Sequence, residues 1–325
     1  MSDKREEKRI GVNHSDARGK IPQQTEAVSS GKESLSQLPG GSEDGTMVRM
    51  TTADLTRDTY EIGTERFPNK GKVLIFNNIN FNNGMPDRVG SDQDASTMYQ
   101  RFCDLGFEPT LFNDCTHDGI MEKLKAAASE DHSLCSCFAC VVLSHGDQDG
   151  IWATDKSPVL KTEDLMATMN SQNCKSLVGK PKIFIFQACR GLQSDAGVAV
   201  NITDRVMSDA ASESEEYHAH LIQQESTYQN IRLPTDMDFL LIQATAPGRT
   251  SIRNTQTGSP FIQCLSEVMS NMEENDDFLD VLTKVHRKMA FNISTGQLEG
   301  TSINVKQMPC FTSMLTKKLL LKKGC

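Results

Sequence analysis

Lys182-Ile183-Phe184-Ile185-Phe186 is an apolar run opened by a single lysine, and Gln187-Ala188-Cys189-Arg190-Gly191 follows it at once. A strand that is apolar on both sides needs a layer on each face, as in a parallel α/β sheet. In such sheets ligands bind beyond the carboxyl ends of the strands, which is where Cys189 falls. Gly191 allows the chain to turn sharply away behind it. A thiol becomes a working nucleophile when a base lies close enough to take its proton. A second apolar run, Cys137-Phe138-Ala139-Cys140-Val141-Val142-Leu143-Ser144, ends in His145-Gly146 and supplies a candidate.

The remaining periodicity predicts strands over 73–76, 108–113, 239–244 and 309–314, six in all with the two above. Between them, Ser91-Asp92 is expected to cap a helix running to Leu105, on which Ala95, Met98, Phe102 and Leu105 recur at helical spacing. Further helices are expected over 119–128, 162–170, 261–271 and 278–290. Alternating strand and helix argues for a parallel sheet with helices on both faces. Residues 1–58 are polar and without periodicity and read as a flexible extension; 192–230, with the acidic patch Ser212-Glu213-Ser214-Glu215-Glu216, read as a long linker inside the domain.

Gln187-Ala188-Cys189-Arg190-Gly191 and Ser144-His145-Gly146 together resemble the catalytic signature of caspases, and the resemblance extends over roughly 59–325. It implies a three-layer fold around a mostly parallel six-stranded sheet, with a large-subunit part at 59–191 and a small-subunit part at 231–325. It also implies a cytosolic cysteine endopeptidase that cuts after aspartate in programmed cell death, with Cys189 as nucleophile, His145 as acid/base and Gly146 as an oxyanion donor. Arg88, Gln187 and Arg253 match the primary pocket, with Ser251 and Asn254 beside it. Processing is expected after Asp44 in the extension and after Asp209, with Asp204 second, in the linker. The short polar extension resembles the prodomain of executioner caspases. The resemblance further implies a homodimer of processed chains, protein substrates, an initiator caspase upstream and inhibitor-of-apoptosis proteins as partners, and no cofactor.

Thr250-Ser251-Ile252-Arg253-Asn254 departs from the family's aromatic-lined stretch, and Pro260 stands where a tryptophan is expected. That departure keeps a second reading open, a weakly active caspase-like protein that regulates another caspase by binding. The net charge of -9 speaks against a general nucleic-acid binder, and no run approaches the length of a membrane span. The ten cysteines lie dispersed in apolar segments and are expected reduced. Cys135, Cys137 and Cys140 lack a partner cluster at zinc-finger spacing, and Cys137 and Cys140 fall within the predicted strand. His286 is expected to be structural or solvent-exposed.

Overall fold

The structure is a computed structural model and describes residues 50–196, 232–291 and 305–321. Six strands form one sheet in the order β2-β1-β3-β4-β5-β6. They are β1 (Lys72–Asn77), β2 (Glu108–Asn113), β3 (Phe138–Leu143), β4 (Lys182–Gln187), β5 (Phe239–Gln243) and β6 (Cys310–Ser313). β1 to β5 pair in parallel, and β6 runs antiparallel to β5 at one edge.

Alternation along these strands divides the core in two. Val73, Ile75, Val141, Ile183, Ile185 and Ile242 point to the face covered by α2 (Ser91–Asp104), α5 (Pro260–Ser270) and α6 (Phe278–Phe291). Phe76, Phe138, Val142, Phe184 and Phe239 point to the other, covered by α3 (His117–Ala128) and α4 (Thr162–Ala167). β3 and β4 are buried at every position, so the apolar runs follow from having two covered faces. Phe184 lies between 5.9 and 6.3 Å from the rings of Phe138, Phe186 and Phe239. Phe184→Ala is expected to cost about 3–5 kcal/mol, through lost transfer energy and a residual cavity; denaturant unfolding measures it.

Four local expectations need correction. The N-cap of α2 is Gly90, at φ 85°, and not Ser91. Ser91 is fully buried: its hydroxyl donates to Asn77 Oδ1 at 2.6 Å and accepts from Arg88 at 2.6 Å, so it serves the loop after β1 instead of the helix end. α3 starts two residues earlier than expected, capped by Thr116, whose Oγ accepts from Gly119 N at 3.1 Å. α4 stops at Ala167, where the Thr168 hydroxyl turns back to Leu165 O at 2.6 Å. Finally, the end of the expected extension is folded: α1 (Thr52–Thr56) opens with a capping box between Thr51 and Asp54. Arg66 grips the Asp54 carboxylate and holds its pKa well below the usual carboxylate range, while Lys317 Nζ reaches the Asp54 carbonyl. An isolated Asp54 in a polar tail offers no such partners to sequence inspection. His286 is half-buried with its ring 5.3 Å from that of Phe311. No helix among the described residues is long and apolar enough to cross a membrane.

Candidate active site

β3 and β4 are adjacent, and Leu143 pairs with Gln187 at their carboxyl ends. His145 and Cys189 each lie two residues beyond that pair, and Ser144 N still donates to Gln187 O at 3.1 Å. Parallel pairing in register therefore carries the imidazole and the thiol to equivalent positions on neighbouring strands, whose axes run about 4.8 Å apart. Leu143 and Gln187 are buried, whereas His145 and Cys189 are half-exposed, so the pair marks where the sheet meets solvent.

The loop after β1 fixes the imidazole. His145 Nε2 lies 2.8 Å from the carbonyl oxygen of Pro86, and the ring sits 4.8 Å from that of Phe81. A carbonyl can only accept, so Nε2 carries a hydrogen, and in the neutral ring the lone pair is then on Nδ1. Burial lowers the His145 pKa, the Pro86 hydrogen bond opposes this, and Arg88 and Arg253 add to the lowering. Both Phe81 and Pro86 escaped the sequence reading: a backbone carbonyl gives no residue signature, and a phenylalanine in a loop reads as filler.

Gly146 leaves no room for a side chain. A Cβ there would lie 2.6 Å from Cys189 O and 3.0 Å from Gly150 O. The glycine is therefore required by the close passage of the β4 exit. Asp147 holds the following turn, its carboxylate accepting from Asp149 N at 2.8 Å, Gly150 N at 3.2 Å and Trp152 Nε1 at 2.9 Å.

The segment after β5 supplies the other wall. Ser251 N donates to Cys189 Sγ at 3.3 Å, and the Ser251 hydroxyl lies 3.6 Å from the same sulfur. Arg88 is 3 % exposed and donates to Asn78 O at 3.0 Å as well as to Ser91. Burial lowers its pKa to about 9, and the charge of Arg253 adds to the lowering. Arg253 donates to Val89 O at 2.7 Å, next to Arg88 in the chain, and burial lowers its pKa too. Gln187 is buried, with Nε2 3.4 Å from Ile252 O and Oε1 without a hydrogen-bond partner among the described residues.

Behind the arginines lies Asp94 on α2, fully buried, accepting from Ser259 N at 2.6 Å and from the Ser259 hydroxyl. Burial raises its pKa; the Ser259 hydrogen bonds and the fields of Arg88 and Arg253 oppose that rise. This counter-charge was also missed, since within the helix Asp94 reads as an ordinary first-turn acid. Asn254 stands apart from the cluster: it is exposed, and its oxygen accepts from Gln256 N at 2.8 Å and Thr257 N at 3.1 Å to hold a turn. Asp44, Asp204 and Asp209 lie outside the described residues.

A thiol, an imidazole and two guanidinium groups thus meet at the carboxyl end of one sheet, and comparison with known proteins gives the arrangement its family. The "Caspase domain" family profile matches residues 70–320. The chain belongs to the caspase family. It is 39% identical over 255 residues to caspase-3 of Mesocricetus auratus, covering 78% of this chain and 84% of that one. Caspase-3 of Oryctolagus cuniculus is 38% identical over 255 residues, with the same coverage of each chain. Among solved structures, caspase-1 from Spodoptera frugiperda superposes with a TM-score of 0.71 at 28% identity, covering 86% of this chain and 98% of that one. This caspase is therefore of the cysteine-peptidase type. Its Pro260, in place of the expected tryptophan, is the first residue of α5, where the missing N–H of proline costs nothing.

Proposed function

We propose that this caspase is a cytosolic endopeptidase that cuts proteins after aspartate, is made as a zymogen processed at Asp44 and Asp209, with Asp204 as second choice, and acts in apoptosis. The observation that carries the reading is the placement of Cys189 and His145 at matched strand ends beside the buried Arg88 and the half-exposed Arg253. In the reaction the Cys189 sulfur forms a bond to the carbonyl carbon of the substrate aspartate, and His145 Nδ1 holds the thiol proton. The oxyanion takes hydrogen bonds from the N–H groups of Gly146 and Cys189, each such donor being worth about 3 kcal/mol in comparable hydrolases. Collapse of the intermediate expels the amine, which receives the proton from His145, and water then attacks the thioester.

The substrate carboxylate enters between Arg88 and Arg253, where guanidinium geometry suits it better than an ammonium would. An uncharged side chain would leave those donors unpaired. Thr250 and Ile252 make the neighbouring pockets wider than aromatic residues would. β6 ends the sheet with its outer edge unpaired among the described residues, which supports a homodimer joined along that edge. An initiator caspase and inhibitor-of-apoptosis proteins are the partners this reading implies.

Intact mass of the wild-type chain, with sequencing of new N-termini, tests the proposal. Fragments starting at Gly45 and Ala210 are expected. A chain that remains uncut, and hydrolyses no aspartyl peptide after cleavage by an added active caspase, would instead be a regulator. The acid side of the pH profile is a second check. Burial and two neighbouring cations disfavour the imidazolium of His145, so the group stays neutral to a lower pH than the ordinary value of 6.5. kcat/KM is expected to fall on the acid side with an apparent pKa below 6.5, read from initial rates across pH.

A further inference from the structure

Gln307 lies outside the motifs that drew attention to the site, in the stretch leading to β6, and is 3 % exposed. Its amide joins two backbone segments. Nε2 donates to Ala244 O at 2.7 Å, immediately after β5, and Oε1 accepts from Ile252 N at 2.8 Å. Ile252 is thereby held from both ends, since its carbonyl lies 3.4 Å from Gln187 Nε2. The residues on either side of it are Ser251, whose N–H meets the Cys189 sulfur, and Arg253, which reaches Val89 beside Arg88. One buried amide thus holds the centre of a three-residue stretch whose flanks touch the nucleophile and the carboxylate recess.

Residues 250–253 belong to no strand, and Ser251, Ile252 and Arg253 are half-exposed; besides the Gln307 bond, Thr250 N donates to Gln193 O at 3.1 Å and Ser251 N to the Cys189 sulfur. The segment around Gln307 is itself tied to the protein on both sides, by Lys306 N to Asp195 O at 2.7 Å and Ala246 N to Met308 O at 3.1 Å. A buried amide with both its donor and its acceptor engaged fixes geometry better than an apolar residue of the same size, which would strand Ile252 N–H and Ala244 O without partners. We propose that Gln307 is a positioning residue for substrate recognition, whose amide sets the register of residues 251–253 so that Arg253 and the Cys189 thiol engage one aspartate together. This rests on the protease reading above.

The experiment compares labelling of Cys189 by two reagents in the full chain, processed by itself or by an added active caspase. One is an aspartyl halomethyl ketone, which needs the recess; the other is iodoacetamide, which needs only the thiol. Gln307→Met is expected to lower the ratio of the two rates at least tenfold while the iodoacetamide rate changes less than threefold. In peptide hydrolysis the loss should fall mainly on KM. Gln307→Glu keeps an acceptor for Ile252 N–H but loses the donor to Ala244 O, and should recover part of the ratio; it also serves as the reporter should Gln307→Met fail to fold. Rates that fall in parallel for both reagents, or a ratio unchanged in both variants, would overturn the role of Gln307. If the wild type itself showed no preference for an aspartyl over an alanyl ketone, the protease reading would fail and this proposal with it.

Discussion

Cys189→Ala is expected to abolish cleavage after aspartate, with kcat/KM falling by a factor on the order of 10⁴ or more, as when the nucleophile of a comparable hydrolase is removed. The thiol is half-exposed and its sulfur accepts one backbone hydrogen bond, from Ser251, so its loss should barely move the melting temperature. His145→Ala should cost nearly as much, and the double variant little more than either alone, because nucleophile and base act as a unit. Hydrolysis of a fluorogenic aspartyl peptide gives the rates, and the absence of self-processing in Cys189→Ala provides a second readout. A Cys189→Ala chain that still cleaved the peptide would remove Cys189 from the mechanism.

The second large effect is expected at Arg253. Arg253→Met should reduce kcat/KM for aspartyl peptides by a factor of about 10³, since truncating one partner of a desolvated charge pair costs several kcal/mol. Stability should respond differently. Arg88 and Arg253 are like charges in a recess containing one buried carboxylate, Asp94, and burial and mutual repulsion lower the Arg88 pKa to about 9. Removing one of the two cations relieves that repulsion in the empty protein, so the melting temperature should hold steady or rise as activity falls. Such opposition is expected where a site is strained for function. Calorimetry beside the kinetic assay tests it, and a large loss of stability would show that Arg253 serves the fold more than the recess.

Much of this was legible because the site is built at strand ends. A buried parallel strand announces itself by apolar continuity, and the residues following it are placed by the register alone; this is how Cys189 and His145 could be paired before their neighbours were known. Arg88, Arg253 and Gln187 were readable only through resemblance, since an isolated arginine in a loop has no periodicity to place it. The rest was hidden for physical reasons. Pro86 acts through its carbonyl, Asp94 through its hydrogen bonds to Ser259 and its field at the arginines, and Gln307 through an amide lodged between two distant segments. Ser91 was misplaced because its hydroxyl had two competing uses, and a buried guanidinium took precedence over a helix end.

The strand order holds a consequence for what a cut can do. β4 and β5 are neighbours in the sheet, matched from Lys182↔Phe239 to Phe186↔Gln243, yet some fifty residues of chain separate them, including 197–231. A break within that interval severs the polypeptide without removing any of these strand contacts. The protein would then behave as a non-covalent heterodimer whose halves were never built to exist apart: Phe184 would lack Phe239, and β4 would become a bare apolar edge. Each half should aggregate when produced alone and recover its shape only with the other, so that a nick is visible on a denaturing gel and silent by gel filtration.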